Sequence, residues 1–353
     1  MKQLTVNSSS PYQIVIERGV LKDAGTYCRR VSAATRAVVV SDSNVAKLYA
    51  KTVASSLQGA GFLTTLFVFP AGESSKRLST VEKLYHHLCE SSITRSDLIV
   101  ALGGGVTGDM AGFTAATYLR GVDFVGIPTS LLSQIDSSVG GKTGVDLPEG
   151  KNLVGAFYSP RLVLIDPDAL KTLPPYYFAD GMAEAIKYGC IKSGALFSRL
   201  EQEDAFEFLE ELIYRCVDIK RQIVENDEKE KGQRILLNFG HTIGHALEKI
   251  YHYDRLSHGQ AVAIGMAMLT KASEAAGITK PGTYQRIVSL LKRYSLKQDD
   301  DAAVSDICTA AAMDKKNTGD FIQLILLKTI GESFVHQVSL CDLPDLIRKG
   351  DTL

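Results

Sequence analysis

Residues 98–113 read Leu-Ile-Val-Ala-Leu-Gly-Gly-Gly-Val-Thr-Gly-Asp-Met-Ala-Gly-Phe: an apolar run, a glycine turn, then a helix-compatible segment. Gly103, Gly105 and Gly108 satisfy G-x-G-x-x-G. The spacing alone is weak, because glycines also serve plain tight turns. Its context is stronger. A buried strand leads in and a helix leads out, so backbone N–H groups and the positive end of a helix dipole face a loop without side chains. Such a loop can cradle a pyrophosphate, and a plain structural turn stands as the equal alternative. The loop departs from the common dinucleotide fingerprint in one way: it follows about the third or fourth expected strand, not the first. The acidic candidate for a ribose lies upstream, at Asp42 beside Asn44.

Other apolar runs surround this one. "AVVVS" at 37–41, "TLFVF" at 65–69, "DFVGI" at 123–127 and "LVLI" at 162–165 read as buried strands, with amphipathic segments at 44–58 and 77–90 between them. Strand–helix alternation predicts a largely parallel sheet covered by helices. The character changes after "TLPPYYF" at 172–178, where Pro174 and Pro175 interrupt and Asp180 is placed to cap the next helix. From there to about residue 313 the periodicity is helical, and one late strand is expected at 321–327. The expected fold is α/β: a nucleotide-binding domain over 1–173 with a mostly parallel sheet, then a mostly α-helical metal- and substrate-binding domain over 174–353.

With 39 basic and 40 acidic side chains the net charge is −1, so no global field favours nucleic acid. The N-terminal stretch has no signal-peptide core and no window approaches a membrane span. The six cysteines are scattered without a C-x-x-C pair, which suits free thiols in a cytoplasmic protein. Any bound anion must be held locally. The segment 120–152, "RGVDFVGIPTSLLSQIDSSVGGKTGVDLPEGKN", is dense in groups that grip small polar ligands: Arg120, Thr129, Ser130, Asp136, Lys142, Lys151 and Asn152. Cations on glycine-flanked loops point to a phosphate or carboxylate, against the plainer reading of a solvated surface loop. The run "ENDEKEKG" at 225–232 reads as a solvated helix end.

Candidate metal donors are Glu184 in "DGMAEAIKYG", His241 and His245 in "NFGHTIGHALE", and His258 in "SHGQAVAIGM". One carboxylate with two or three imidazoles suits a catalytic zinc with an open position. Spacing alone nominates His241 and His245, which are i and i+4 on one helix face, and leaves His258 unassigned. The competing reading is that buried histidines hydrogen-bond in the core. It is preferred for His336, and His86 and His87 read as a helix surface pair.

These motifs together, with "PTSLLSQIDSSVGGKTGVD" and "KNLVGAFYSP", resemble the 3-dehydroquinate synthase family, in the family's order from about residue 38 to "DKKN" at 314–317. The resemblance implies an NAD- and Zn²⁺- or Co²⁺-dependent homodimer. Its substrate is 3-deoxy-D-arabino-heptulosonate 7-phosphate and its products are 3-dehydroquinate and phosphate, formed through transient oxidation, β-elimination, re-reduction and aldol closure. It splits the histidine pair: Glu184, His241 and His258 match metal ligands, and His245 matches a residue that moves protons beside the substrate. NAD contacts carry over to Asp42, Asn44, Glu73, Lys76, Gly105, Val106, Thr107, Gly108 and Asp109. They also carry over to Thr129, Ser130, Lys142, Lys151 and Thr172. Substrate contacts carry over to Asp136, Lys142, Asn152, Lys187, Lys220, Glu230, Arg234, Asn238 and His245. Arg120 matches a residue that reaches the phosphate across the dimer, and Lys315 or Lys316 matches a further phosphate contact. One departure is Gln260, where the family commonly has Glu: glutamine keeps the hydrogen bonding and loses the charge, so activity is expected to persist and any effect to fall on the surroundings of the metal.

Three alternatives remain on sequence grounds. A sister sugar-phosphate cyclase would keep the cofactors, and the Lys220/Arg234 pair argues against substrates without a carboxylate. A metal-dependent alcohol or glycerol dehydrogenase would share the glycine loop, but not a phosphate cluster at Arg120, Lys142 and Asn152. A non-catalytic NAD-binding regulator would be expected to lack a metal donor, and all are present.

Overall fold

The computed structural model describes residues 1–230, 232–313 and 320–350. Lys315 and Lys316 therefore lie outside the described residues. Contacts divide the chain into two compact units: Met1–Pro174 with Lys220–Lys229, and Pro175–Ile219 with Glu230–Leu353.

The first unit runs β1 (Lys2–Val6), β2 (Tyr12–Ile16), α1 (Ala24–Val31), β3 (Arg36–Asp42), α2 (Lys51–Gly59), β4 (Leu63–Phe69), α3 (Leu78–Glu90), β5 (Leu98–Gly103), α4 (Gly105–Thr117), β6 (Asp123–Pro128), β7 (Lys142–Leu147), β8 (Gly150–Phe157) and β9 (Leu162–Ile165). Seven strands form one sheet in the order β1-β2-β9-β6-β5-β3-β4. Only the β1–β2 pair is antiparallel. Both faces are covered, which is why the central strands carry continuous apolar runs such as Ala37–Val40 and Leu98–Leu102. Along β5, Leu98, Val100 and Leu102 pack with Cys28, Val53 and Leu57. Ile99 and Ala101 face the other way, onto Leu84, Met110 and Phe113.

β3 pairs with β4 on one side and β5 on the other. The winding direction reverses between β3 and β5, and the crevice at the carboxyl ends of such strands is where α/β sheets bind ligands. Asp42 ends β3 and the glycine loop follows β5, so both lie at that switch point. The loop follows the fifth strand of the chain, because the hairpin β1–β2 carries too weak a pattern to be read from sequence. The segment after Gly141 is not the expected open loop. It forms an antiparallel hairpin, β7–β8, with Thr143 opposite Ala156 and Val145 opposite Val154.

The second unit runs α5 (Pro175–Lys192), α6 (Gly194–Gln202), α7 (Leu209–Asn226), α8 (His241–Ile250), α9 (His258–Ala275), α10 (Thr283–Arg293), α11 (Val304–Ala312), β10 (Phe321–Thr329), β11 (Glu332–Ser339) and α12 (Leu343–Lys349). The end of α7, from Lys220, groups with the first unit. The expected late strand is β10, and its antiparallel partner β11 is not legible in the sequence. The core of this unit joins Ile243 and Leu247 of α8, Ile264 and Leu269 of α9, Ile307 of α11, Leu324 of β10 and Leu346 of α12.

Two local features set the geometry of the histidines. Gly240, at φ 80°, turns the chain into α8. A Cβ on Gly265 would lie 2.0 Å from the Gly240 carbonyl oxygen, so only glycine lets α9 approach that turn so closely. Asp180 does not cap the helix in which it lies. It sits inside α5, which opens on Pro175, and accepts from the Gly259 N–H at 2.5 Å, capping α9 instead.

Candidate active site

In the first unit the glycine loop has separable roles. Gly104 is extended at the N-cap and α4 begins at Gly105. A Cβ on Gly103 would meet Thr107 Oγ1 at 2.3 Å, so that glycine serves the turn itself. A Cβ on Gly108 would meet nothing within 4 Å. Open space there, on the first turn of a helix, fits a pyrophosphate lying against the backbone. Gly103, Gly104, Gly108, Asp109, Ser137 and Lys142 line one cleft beside the loop.

Lys76 organises this end of the sheet. It is 4% exposed, and its Nζ lies 2.6 Å from Asp109 Oδ2 and donates to Asn152 Oδ1 at 2.6 Å. Glu73 stands 4.0 Å away. Burial works against the charge on Lys76, but Asp109 and Glu73 overcome it and hold the ammonium above its ordinary value. The hairpin is tied to the same point: Asp146 N–H donates to the Lys76 carbonyl at 2.8 Å, and Asp146 Oδ1 accepts from the Asn152 N–H at 2.7 Å. Asn152 sits at φ 54°. Lys220 is 7% exposed, and its Nζ lies 2.6 Å from the Asp136 carbonyl oxygen and 2.9 Å from Asp136 Oδ1. It is thus not the solvated helix charge its surroundings in sequence suggest. The neighbouring acidic run is also engaged: Glu225 accepts from Asn7 and Glu228 from Ser9.

The remaining first-unit candidates sit at strand ends, in short turns and in the β7–β8 hairpin. Asp42 Oδ1 accepts from the N–H groups of Asn44 and Val45, at 2.8 and 3.1 Å. Thr129 donates its N–H to the Gly103 carbonyl at 3.0 Å, and the Ser130 hydroxyl donates to Ser133 Oγ at 2.9 Å. Thr172 shares a 2.6 Å hydroxyl contact with Tyr49. Arg120 is exposed at φ 66° at the end of the short helical turn after α4. Lys142 is exposed at the start of β7, and Lys151 is half-buried in β8.

In the second unit Glu184 is fully buried on α5 and ion-paired with Lys187, one turn on and 2% exposed. His241 Nε2 lies 3.4 Å and His258 Nε2 3.7 Å from Glu184 Oε1. Behind each ring stands an oxygen: His241 Nδ1 faces the Phe239 carbonyl at 3.2 Å, and His258 Nδ1 faces Glu248 Oε1 at 3.5 Å. Burial, assisted by Lys187, holds His241 well below its ordinary pKa, in the neutral form that ligates metals. His258 is also disfavoured as a cation by burial, but Glu184 and Glu248 outweigh this and push it up to about 10. Both carboxylates would equally attract a divalent cation, which must displace that proton to bind. One buried carboxylate and two convergent imidazole Nε2 atoms are the donor set of a catalytic zinc site, so the residues fit a metal.

The i,i+4 pair that spacing nominated is divided. His241 joins Glu184 and His258, whereas His245 is exposed and groups with Glu248 and His258. Arg234 is 2% exposed, Asn238 and Glu230 are half-buried, and Glu230 sits at φ 56°. Gln260 does not address the donor cluster: its amide donates to the Ser295 carbonyl at 3.2 Å and accepts from the Lys297 N–H at 2.7 Å. His336 is half-buried on β11 beside Phe334 rather than buried in the core. Sequence reasoning missed Glu248 and read Asp180 only as a cap for its own helix. Both were findable by helical spacing, as Asp180 is i−4 from Glu184 and Glu248 is i+3 from His245.

Whole-chain comparison places this architecture among the sugar-phosphate cyclases. The chain superposes on 2-deoxy-scyllo-inosose synthase, solved with carbaglucose-6-phosphate, NAD⁺ and Co²⁺, at TM-score 0.87 and 26% identity, covering 99% of this chain and 100% of that one. It superposes on 2-epi-5-epi-valiolone synthase from Streptomyces hygroscopicus, solved with NAD⁺ and Zn²⁺, at TM-score 0.87 and 27% identity, covering 97% of each. Glycerol dehydrogenase from Schizosaccharomyces pombe, at 17% identity and TM-score 0.62, shares the fold alone.

Sequence similarity narrows the class. The family models "3-dehydroquinate synthase N-terminal" and "3-dehydroquinate synthase C-terminal" match residues 66–180 and 181–317. The 3-dehydroquinate synthase of Clostridium acetobutylicum is 48% identical over 96% of this chain and 97% of its own length. That of Clostridium perfringens is 49% identical over 96% and 99%. The chain belongs to the 3-dehydroquinate synthase family.

Proposed function

We propose that this chain is a phosphorus–oxygen lyase of the shikimate route to aromatic amino acids. It converts 3-deoxy-D-arabino-heptulosonate 7-phosphate to 3-dehydroquinate and phosphate, with no net redox change. The observation that carries the reading is the buried Glu184 carboxylate met by His241 Nε2 and His258 Nε2, in a chain that also holds a dinucleotide loop. When bound, NAD supplies a reversible hydride acceptor and the cation, Zn²⁺ or Co²⁺, supplies Lewis-acid polarisation of substrate hydroxyls.

The chain's own residues bind, orient and move protons. In the NAD-binding unit, Val106, Thr107 and Gly108 offer the start of α4 to the pyrophosphate. Asp42 and Asn44 hold the adenosine ribose; Glu73, Lys76, Asp109, Thr129, Ser130, Lys151 and Thr172 complete the nucleotide seat. Lys142 and Asn152 pin the leaving phosphate, and Arg120 reaches it across a homodimer. Asp136 and Lys220, already bonded to each other, orient substrate, with Lys220 and Arg234 taking its carboxylate. In the helical unit, Glu184, His241 and His258 hold the cation. Lys187, Glu230 and Asn238 position the substrate, and His245 shuttles a proton, because an imidazole both gives and takes near neutral pH. The phosphate itself can accept the proton removed during elimination, which leaves the protein to orient and polarise. No helix among the described residues is long and apolar enough to cross a membrane, and a cytoplasmic location is part of the proposal.

The test is to supply the heptulosonate phosphate, catalytic NAD and Zn²⁺, and to follow phosphate and dehydroquinate. Many turnovers per NAD without accumulating NADH are expected. Stoichiometric NADH would favour a dehydrogenase, and absence of phosphate would refute the reading.

A further inference from the structure

Two donor sets overlap on α8 and α9: Glu184, His241 and His258, and separately His245, Glu248 and His258. They share one imidazole, and they address its opposite edges. His258 Nε2 faces Glu184 Oε1 at 3.7 Å, while Nδ1 faces Glu248 Oε1 at 3.5 Å. A neutral imidazole has one lone pair, so it can ligate from only one edge at a time. Whatever fixes the ring proton chooses the donor set.

We propose that Glu248 makes this choice: its carboxylate holds the proton of His258 on Nδ1 and so keeps the Nε2 lone pair for a cation shared with Glu184 and His241. The inference rests on the metal centre proposed above. Glu248 is then a positioning residue and not a ligand. Its surroundings suit that role. It is 3% exposed, so its hydrogen bond to the ring is not diluted by water. The backbone of His258 is fixed independently. As the first residue of α9 it lies between Ser257, whose hydroxyl accepts from the Gln260 N–H, and Gly259, whose N–H is held by Asp180. With the backbone pinned, the ring needs only an orienting acceptor. His241 has the same arrangement, with the Phe239 carbonyl behind Nδ1 and Nε2 turned to Glu184. Both histidines thus present the same nitrogen to the same carboxylate. A charged acceptor raises ligand basicity more than a carbonyl does, so the Glu248–His258 pair is the stronger lever.

Co²⁺ in the full-length chain is the probe, with affinity read by competition against a chromophoric chelator and coordination read from the visible spectrum. Glu248→Gln keeps the size of the side chain and removes its charge; Glu248→Asp keeps the charge and withdraws it by one methylene. The expected result is that Glu248→Gln still takes one Co²⁺ per chain, about 10- to 100-fold more weakly and with an altered spectrum. Glu248→Asp recovers part of both, and Glu184→Gln takes none. Wild-type affinity and spectrum in Glu248→Gln would overturn the role. So would loss of Co²⁺ from Glu248→Gln with retention in Glu184→Gln, which would make Glu248 a ligand of the other set. A wild-type chain that binds no Co²⁺ would remove the metal centre itself, and this role with it. Circular dichroism of the cation-free variants separates misfolding from altered binding, and the aspartate variant carries the test if the glutamine variant does not fold.

Discussion

His241 and His245 stand one turn apart on α8 with ring centroids 5.3 Å apart and ring planes at 89°, yet only His241 turns its Nε2 to Glu184, at 3.4 Å. Equal spacing thus gives two imidazoles unequal work. The buried carboxylate that decides between them comes from α5, and helical periodicity around α8 carries no information about it.

Lys76 and Asp109 form a pair 2.6 Å apart, with the lysine nearly fully buried. Lys76→Met leaves Asp109 without its main countercharge and is expected to cost about 3 kcal/mol in chemical denaturation. Replacing both residues, as Lys76→Met with Asp109→Leu, recovers much of that loss, since a well-packed apolar pair is often no less stable. Nucleotide affinity, measured by NADH fluorescence, is expected to stay lost in the double variant. Recovery of binding together with stability would show the pair to be structural only.

Gly108→Ala separates fold from cofactor. Nothing lies within 4 Å of the added Cβ, and alanine is the better helix former by about 1 kcal/mol. The thermal midpoint should hold or rise while NAD affinity falls at least about tenfold. By contrast Gly103→Ala drives a methyl against Thr107 and should destabilise the unit itself. Unchanged NAD affinity in Gly108→Ala would remove the loop from the nucleotide seat.

Asp97, at the entrance to β5, carries a pH signature. Burial alone would raise its carboxyl, but hydrogen bonds from Thr94 and from the Arg36 N–H hold it below its ordinary value. A depressed folded pKa contributes stability above the unfolded value of about 3.9, and that contribution is lost as pH falls through the folded pKa. Asp97→Asn is expected to cost about 2 kcal/mol at neutral pH, and the difference from wild type should shrink below about pH 4. A gap that persists in acid would mean the carboxylate charge is not its source.

The sequence discloses this fold where burial writes a strong pattern. β3, β5, β6 and β9 are apolar on both faces, so their runs survive as signals; β1, β7, β8 and β11 are paired at edges or in hairpins, where half the residues meet solvent. The glycine loop is visible because backbone approach excludes side chains. Less visible are contacts between distant segments. Lys220 reads as a solvated helix charge until Asp136 is beside it, and Gln260 points to Ser295 and Lys297, not to the donors two residues away. Glu248 shares a helix face with His245, but its pairing with His258 is not disclosed by spacing, because His258 lies on the next helix.

Metal content after single substitutions tests the division of the histidines most directly. Purified His241→Ala, His245→Ala and His258→Ala chains, each loaded with Zn²⁺, desalted and analysed for bound metal, are predicted to differ in kind. His241→Ala and His258→Ala should retain no stoichiometric zinc. His245→Ala should retain one per chain while turning over about 100-fold or more slowly. Zinc lost equally from all three, or lost from His245→Ala and kept in His258→Ala, would contradict the account.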